Sequence, residues 1–245
     1  MSIRRAGRRE ATQQPLVATA AETVPGRPDG PAGRSLPAGL AGLARRLPRS
    51  LVPRSYTSMV AVDIVSFGAP YRDEEIQMLL RQLMYGHLEE AFEMSHVPWH
   101  HCYHEDRGDG ALVVLPPDVP AYLLADVLPY HLHSALRRVN RFLDSCARMR
   151  LRMAAHVGNV YQDPYGVSGH AVNHLFRLLD ADALKGAVRT SRAPLGVILS
   201  DRLREDLAAY GGPLDVLGYR AVDVVCKETE ARAWVRVLME ERGRM

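Results

Sequence analysis

The period of the apolar positions changes several times after residue 56, and each change marks an element. Residues 57–67 form a β-branched apolar run that stops at Gly68 and predict a first strand. Asp73 then precedes Ile76, Leu79, Leu80, Leu83, Met84, Leu88 and Phe92, spaced at three to four residues. That spacing predicts an amphipathic helix capped by Asp73 and running to about residue 95. A second strand is predicted over 98–105, a tight turn at Gly108-Asp109-Gly110, and a third strand over 111–115, where Pro116 and Pro117 stop it. A long helix follows over 120–146, with Pro129 expected to kink or break it.

Residues 149–160 read as a fourth strand, 158–169 as a loop rich in Gly, Asp and Pro, and 169–185 as a helix. A strand over 195–200, a short helix capped by Asp201 and a closing strand pair near 217–226 and 231–238 complete the pattern. The order is β-α-β-β-α-β and then α-β-α-β-β. It predicts an α+β fold: a ferredoxin-like βαββαβ core, antiparallel with its helices on one face, plus an added helix and a C-terminal strand hairpin.

Composition divides the chain in two. Residues 1–55 carry ten Arg against Glu10, Glu22 and Asp29, a balance of +7, whereas the remainder carries 21 basic and 25 acidic residues, a balance of −4. The first segment is rich in Pro, Gly, Ala and Arg without a sustained apolar period, so 1–55 reads as a disordered basic arm and 56–240 as the folded domain. Such an arm suits weak contact with an acidic partner, nucleic acid or membrane. A uniformly basic nucleic-acid binder is excluded by the acidic remainder.

Cys102, Cys146 and Cys226 are scattered and lack paired spacing, which argues against a disulfide framework or a zinc finger and for a reducing compartment. No apolar run is long enough to span a bilayer, and the charged N-terminus lacks the apolar stretch of a secretory signal. A cytoplasmic location is expected, although the Arg-rich, acid-poor start leaves a transit peptide open.

The chemistry begins with two aspartates. Asp63 lies inside the first strand and Asp109 in the turn before the third. A carboxylate inside an apolar strand is costly to bury alone. Two of them, on strands that a ferredoxin-like order sets side by side, suit a hard divalent cation, Mg2+ or Mn2+, with the carbonyl of Ile64 as a further ligand. The bland alternative makes Asp109 a turn residue and leaves Asp63 half exposed. His96, His100, His101 and His104 cluster around Cys102, where packing at a strand end competes with a zinc site. His170 and His174 stand four apart beside Asn173.

These motifs, taken in order, resemble the class III nucleotidyl cyclase catalytic domain, the adenylate and guanylate cyclase family, over roughly residues 56–238. Asp63, Ile64 and Phe67 resemble its Asp-Ile-x-x-Phe strand, and Gly108-Asp109 its second metal aspartate. The Leu151–Gly158 strand with its His-x-Gly resembles the strand before its Val-Asn-x-x-x-Arg helix, which Val172, Asn173 and Arg177 match.

The resemblance implies attack of a ribose 3′-hydroxyl on the α-phosphate of a nucleoside triphosphate, giving a 3′,5′-cyclic nucleotide and pyrophosphate. It implies metal ligation by Asp63, Ile64 and Asp109, ribose orientation by Asn173, stabilisation of α-phosphate charge by Arg177 and phosphate contact by Lys227. A homodimer is implied, with the metal aspartates from one chain and Glu105, Asn173, Arg177 and Lys227 from the other.

The resemblance also places Glu105 and Gly166 at the base. A carboxylate at Glu105 can accept from guanine N1–H and its exocyclic amine but opposes adenine N1, so GTP is favoured. Gly166 supplies no side chain, leaving Asp163 or Tyr165 to reach in and leaving a pyrimidine open. Gly166, Arg107 and the Lys227-Glu228 pair in place of Lys-Gly depart from the family. They keep alive an alternative: a non-catalytic cyclase-like nucleotide-binding or dimerisation module with a regulatory role.

Overall fold

The computed structural model describes residues 54–208 and 217–239. The basic arm expected over 1–55 lies, apart from its last two residues, outside the described residues. The strands are β1 (Arg54–Ile64), β2 (Tyr103–Asp106), β3 (Gly110–Val114), β4 (Leu151–Asp163), β5 (Gly166–Ser168), β6 (Leu195–Ser200), β7 (Arg220–Cys226) and β8 (Thr229–Leu238). The helices are α1 (Glu74–Met94), α2 (Val127–Asn140), α3 (His170–Leu179), α4 (Asp182–Ser191) and α5 (Asp201–Ala208).

The sheet runs in the order β2-β3-β1-β4-β6-β8-β7, with β5 paired to β4. It is antiparallel except between β4 and β6. The predicted α+β class and its βαββαβ start therefore hold.

Period two on the strands feeds two cores. From β1, Val60, Val62 and Ile64 join Leu80, Met84, Leu88 and Phe92 of α1 and Leu128, Leu132 and Leu136 of α2 on one face. Met59 and Ala61 point the other way, to Val172, Leu175 and Leu178 of α3 and Leu184 and Val188 of α4. The first two helices thus share a face as expected, joined there by Leu203 and Leu207 of α5, and α3 and α4 cover the opposite one. Asp63 follows Met59 and Ala61 by the same alternation, so it ends the row on the α3 side.

Several boundaries differ from the sequence reading for local reasons. The first strand stops at Ile64, and Ser66 turns the chain with φ 58°. Residues 99–101 form a 3-10 turn ahead of β2, in which Trp99 packs edge-on to Phe92 at 5.1 Å. The helix expected over 120–146 is a 3-10 turn at Ala121–Leu124 followed by α2. Pro129 is the third residue of α2, where no intrahelical N–H is needed, so it neither kinks nor breaks the helix.

The loop expected over 158–169 is instead a hairpin of β4 with β5. The helix expected over 169–185 divides at Ala181 into α3 and α4, and Lys185 of α4 meets Asp180 at the end of α3 at 2.9 Å. Asp73 caps α1 as predicted, accepting from the Ile76 N–H at 2.9 Å. Asp201 does not cap α5. Ser200 does, accepting from the Leu203 N–H at 3.0 Å, while Asp201 accepts from Trp234 Nε1 at 2.9 Å.

Candidate active site

Asp63 and Asp109 meet through strand register. Asp63 stands opposite Gly110 across β1 and β3, and the Ile64 N–H donates to the Asp109 carbonyl at 2.9 Å. Gly110 makes this approach possible: a Cβ there would lie 2.2 Å from the Val62 carbonyl oxygen. Asp109 therefore sits beside Asp63, exposed at the hairpin tip, while the Ile64 side chain is buried in the core.

From α1, Arg81 braces the same hairpin. It donates to Asp106 at 3.0 and 2.7 Å and to the Gly108 carbonyl, and Tyr85 Oη adds a bond to Asp106 at 2.9 Å. Buried Arg72 fixes the chain after Asp63, donating to the carbonyls of Val65, Ser66, Cys146 and Arg148 at 2.8 to 3.0 Å.

Across β1 and β4, Arg152 stands opposite Asp63 and binds it with both arms, Nε to Oδ1 at 2.8 Å and Nη2 to Oδ2 at 2.6 Å. Burial nevertheless pushes the Asp63 carboxyl up to about 6. Arg152 opposes that rise, and the charges of Asp109 and Asp180 add to it. The motif search missed Arg152. Its signal was an arginine two residues into a buried strand, at a position whose side chain needs a counter-charge.

Two adjacent carboxylates are a donor set that a hard cation takes, with phosphate oxygens to complete the shell; both Asp63 oxygens here accept from Arg152. Among the described residues no group of three or more His, Cys, Asp and Glu side chains is placed to hold a metal by itself. The histidines near Cys102 are not gathered as ligands. His100 and His101 lie against each other at 4.2 Å, and His104 lies on the Trp99 ring at 3.8 Å.

A second constellation surrounds α3. Asn173 and Arg177 stand one turn apart, and Arg177 donates to Glu228 Oε1 from Nε at 3.3 Å and Nη2 at 2.9 Å. Glu228 is held below the usual carboxylate range by its backbone hydrogen bond and by Arg177.

A cavity of about 650 Å³ is lined by His156, Asn159, Tyr161, His170, Asn173 and Glu228, with His174 and Thr229 beside them. Burial pushes the His156 imidazole down to about 3, with His174 and Arg202 adding to the shift; its Nδ1 lies 2.7 Å from Ser200 Oγ. Lys227 occupies the β7–β8 turn with φ 53° and is exposed; it is not among the residues lining the cavity.

The predicted base positions also converge. A Cβ on Gly166 would lie 3.3 Å from Glu105 Oε2 and 3.3 Å from Tyr103 Oη. Glu105 pairs with Arg107 at 2.9 Å. Asp163 accepts from the Tyr165 N–H in the β4–β5 turn, and Tyr165 is 95% exposed, so neither fills the space that Gly166 leaves. Among the described residues no hydrogen bond or ion pair links the Asp63–Asp109 pair to the Asn173–Arg177 pair.

No family model and no curated protein matches the chain by sequence. Solved structures do match its fold. The guanylyl cyclase Cya2 aligns at TM-score 0.54 and 19% identity, covering 78% of this chain and 96% of its own. An adenylate/guanylate cyclase/hydrolase from Silicibacter pomeroyi aligns at 0.52 and 17%, over 76% of this chain and 99% of its own. A bacterial light-regulated adenylyl cyclase aligns at 0.53 and 11%, over 81% of this chain and 61% of its own. The fold of the described residues is therefore that of nucleotidyl cyclase domains.

Proposed function

We propose that the protein is a nucleotidyl cyclase, with GTP its favoured substrate, acting as a homodimer in signalling inside the cell. The observation that carries this reading is the register placing Asp109 beside Asp63 at the end of the α3 face, on a cyclase fold. Mg2+ or Mn2+ held by Asp63, Asp109 and the Ile64 carbonyl would acidify the ribose 3′-hydroxyl and neutralise the triphosphate.

The chain's own residues do the rest. Arg152 holds the Asp63 carboxylate in place through its two hydrogen bonds. Asn173 orients the ribose, and Arg177 stabilises charge gathering on the α-phosphate as the new O–P bond forms and the bond to pyrophosphate breaks. The hydroxyl proton leaves to solvent. Lys227, at its exposed turn, reaches the departing phosphates.

Within one chain Asp63 is engaged by Arg152 and Arg177 by Glu228. In this reading the site is completed by a second copy, with Asp63 and Asp109 from one chain facing Glu105, Asn173, Arg177 and Lys227 of the other.

The same two ion pairs favour a second reading, a cyclase-like module that binds nucleotide or dimerises without turnover. Incubation with each of the four triphosphates and Mn2+ separates the two, with cyclic product and pyrophosphate read by mass spectrometry. Catalysis predicts cyclic product from wild type and none from Asp63→Ala. No product from any triphosphate selects the module.

A further inference from the structure

The base end of the site contains a charged pair of which the roles above use only Glu105. Glu105 Oε1 and Arg107 Nη2 are 2.9 Å apart, and Tyr103 Oη donates to Glu105 Oε2 at 3.3 Å. Tyr103 and Glu105 are two apart on β2, opposite Val114 and Leu112, so they project to the α3 face. Arg107 follows at the turn, with its guanidinium carbon 4.9 Å from the ring centroid of Phe176 on α3. An ordinary surface ion pair leaves both side chains loose. This one is pinned by a carboxylate on one side and an aromatic face on the other.

Gly166 explains why a second polar group is needed. Its φ of 135° is one that L side chains rarely adopt, and its missing Cβ keeps the Glu105 carboxylate uncovered. The β5 segment therefore contributes no side chain at this position. Any donor standing beside the Glu105 acceptor must come from elsewhere, and Arg107 is in place. Its Nη2 lies 2.9 Å from Glu105 Oε1 as a charge pair, and a guanidinium carries five N–H donors in all.

We infer that Arg107 is a base-reading residue, forming with Glu105 a donor–acceptor row complementary to the Watson–Crick edge of guanine. The inference rests on the cyclase reading above and adds a specificity determinant to it. Guanine presents, in sequence, the O6 acceptor and the N1–H and N2–H donors. Arg107 donates to O6, while the two oxygens of Glu105 accept from N1–H and N2–H. Adenine reverses the first two positions, so its amine meets the guanidinium and its N1 lone pair meets the carboxylate. Each mismatch leaves a charged group unpaired against the base, and each is worth about 10- to 100-fold in affinity.

Competition against a fluorescent GTP analogue, with the full chain and Mn2+, tests this with three unlabelled probes. GTP carries the whole edge, inosine triphosphate lacks the N2 amine, and 6-thio-GTP replaces O6 with a poor acceptor. Wild type should bind GTP about tenfold or more tightly than either analogue. Arg107→Met keeps the stem over Phe176 and removes the donors. It should abolish the penalty for 6-thio-GTP and keep the one for inosine triphosphate. Glu105→Gln should lose the inosine penalty and keep the other, with thermal melts establishing that both variants are folded.

If Arg107→Met binds GTP and 6-thio-GTP in the wild-type ratio, or loses all three nucleotides equally, the base-reading role is wrong while the cyclase reading stands. If wild type binds no purine triphosphate, the base-reading role falls together with the GTP preference, and the cyclase reading then rests on cyclic product from the four-triphosphate incubation.

Discussion

Asp63 and Arg152 face each other across β1 and β4 and are joined by two hydrogen bonds of 2.8 and 2.6 Å, with 13% and 16% of their side chains exposed. Each holds the other's charge inside the fold. Arg152→Met strands the carboxylate and should lower stability by about 3 kcal/mol. The double variant Asp63→Asn/Arg152→Met should recover much of that loss. Urea denaturation of the two single variants and the double variant measures the coupling. Strictly additive losses would mean that the pair is not a unit.

The hairpin that carries Asp109 is held from outside by Arg81 and Tyr85 through Asp106. Arg81→Ala should leave the melting temperature nearly unchanged, because the contacts are exposed. It should lower activity, or raise the Mn2+ concentration required, by about 10-fold or more. A wild-type metal dependence in this variant would show that the brace has no bearing on Asp109.

The strand order was legible in the sequence, but the covering of both faces was not: β1 reads as one apolar run, and packing separates Val60–Val62–Ile64 from Met59–Ala61. The same alternation places Asp63 on the Met59–Ala61 side. What the local pattern could not convey was pairing. The β4–β5 hairpin reads as a loop because Asp163, Pro164 and Gly166 are turn-forming residues, yet β4 continues to Asp163 by pairing with β1 as far as Tyr161 and with β5 beyond it. Pro129 reads as a helix breaker until its place in the first turn of α2 is known.

The site divides the same way. Asp63, Asp109, Asn173 and Arg177 stand in recognisable motifs. Arg152 and Arg107 matter only through what lies across a strand or on a helix face, and no linear motif carries that.

Gly166 is required by its backbone and by its space. Gly166→Ala should cost about 1–2 kcal/mol, since φ 135° is strained for alanine. Its methyl would crowd Glu105 and weaken GTP binding, a change that competition binding reads. Unaltered stability and affinity would mean that β5 rearranges freely.

Acid should destabilise the fold through buried histidines. Burial pushes His104 down to about 4 and His156 to about 3, both from 6.5. The unfolded chain therefore takes up these protons first. Their contribution is complete above about pH 6.5 and is lost as pH falls toward 4. His104→Phe keeps a ring against Trp99 without the titrating nitrogen, so its melting temperature should gain on wild type as pH drops from 7 to 5. A constant difference across that range would remove His104 from the acid response.

The shared-site cyclase is tested most directly by mixing Asp63→Ala with Arg177→Ala, each inactive alone. A mixed dimer restores one of its two sites, and half of randomly assorted dimers are mixed, so activity should return to about a quarter of wild type. No cyclic product above the separate variants, from mixtures verified to contain heterodimer and beside an active wild type, would contradict a site built from two chains.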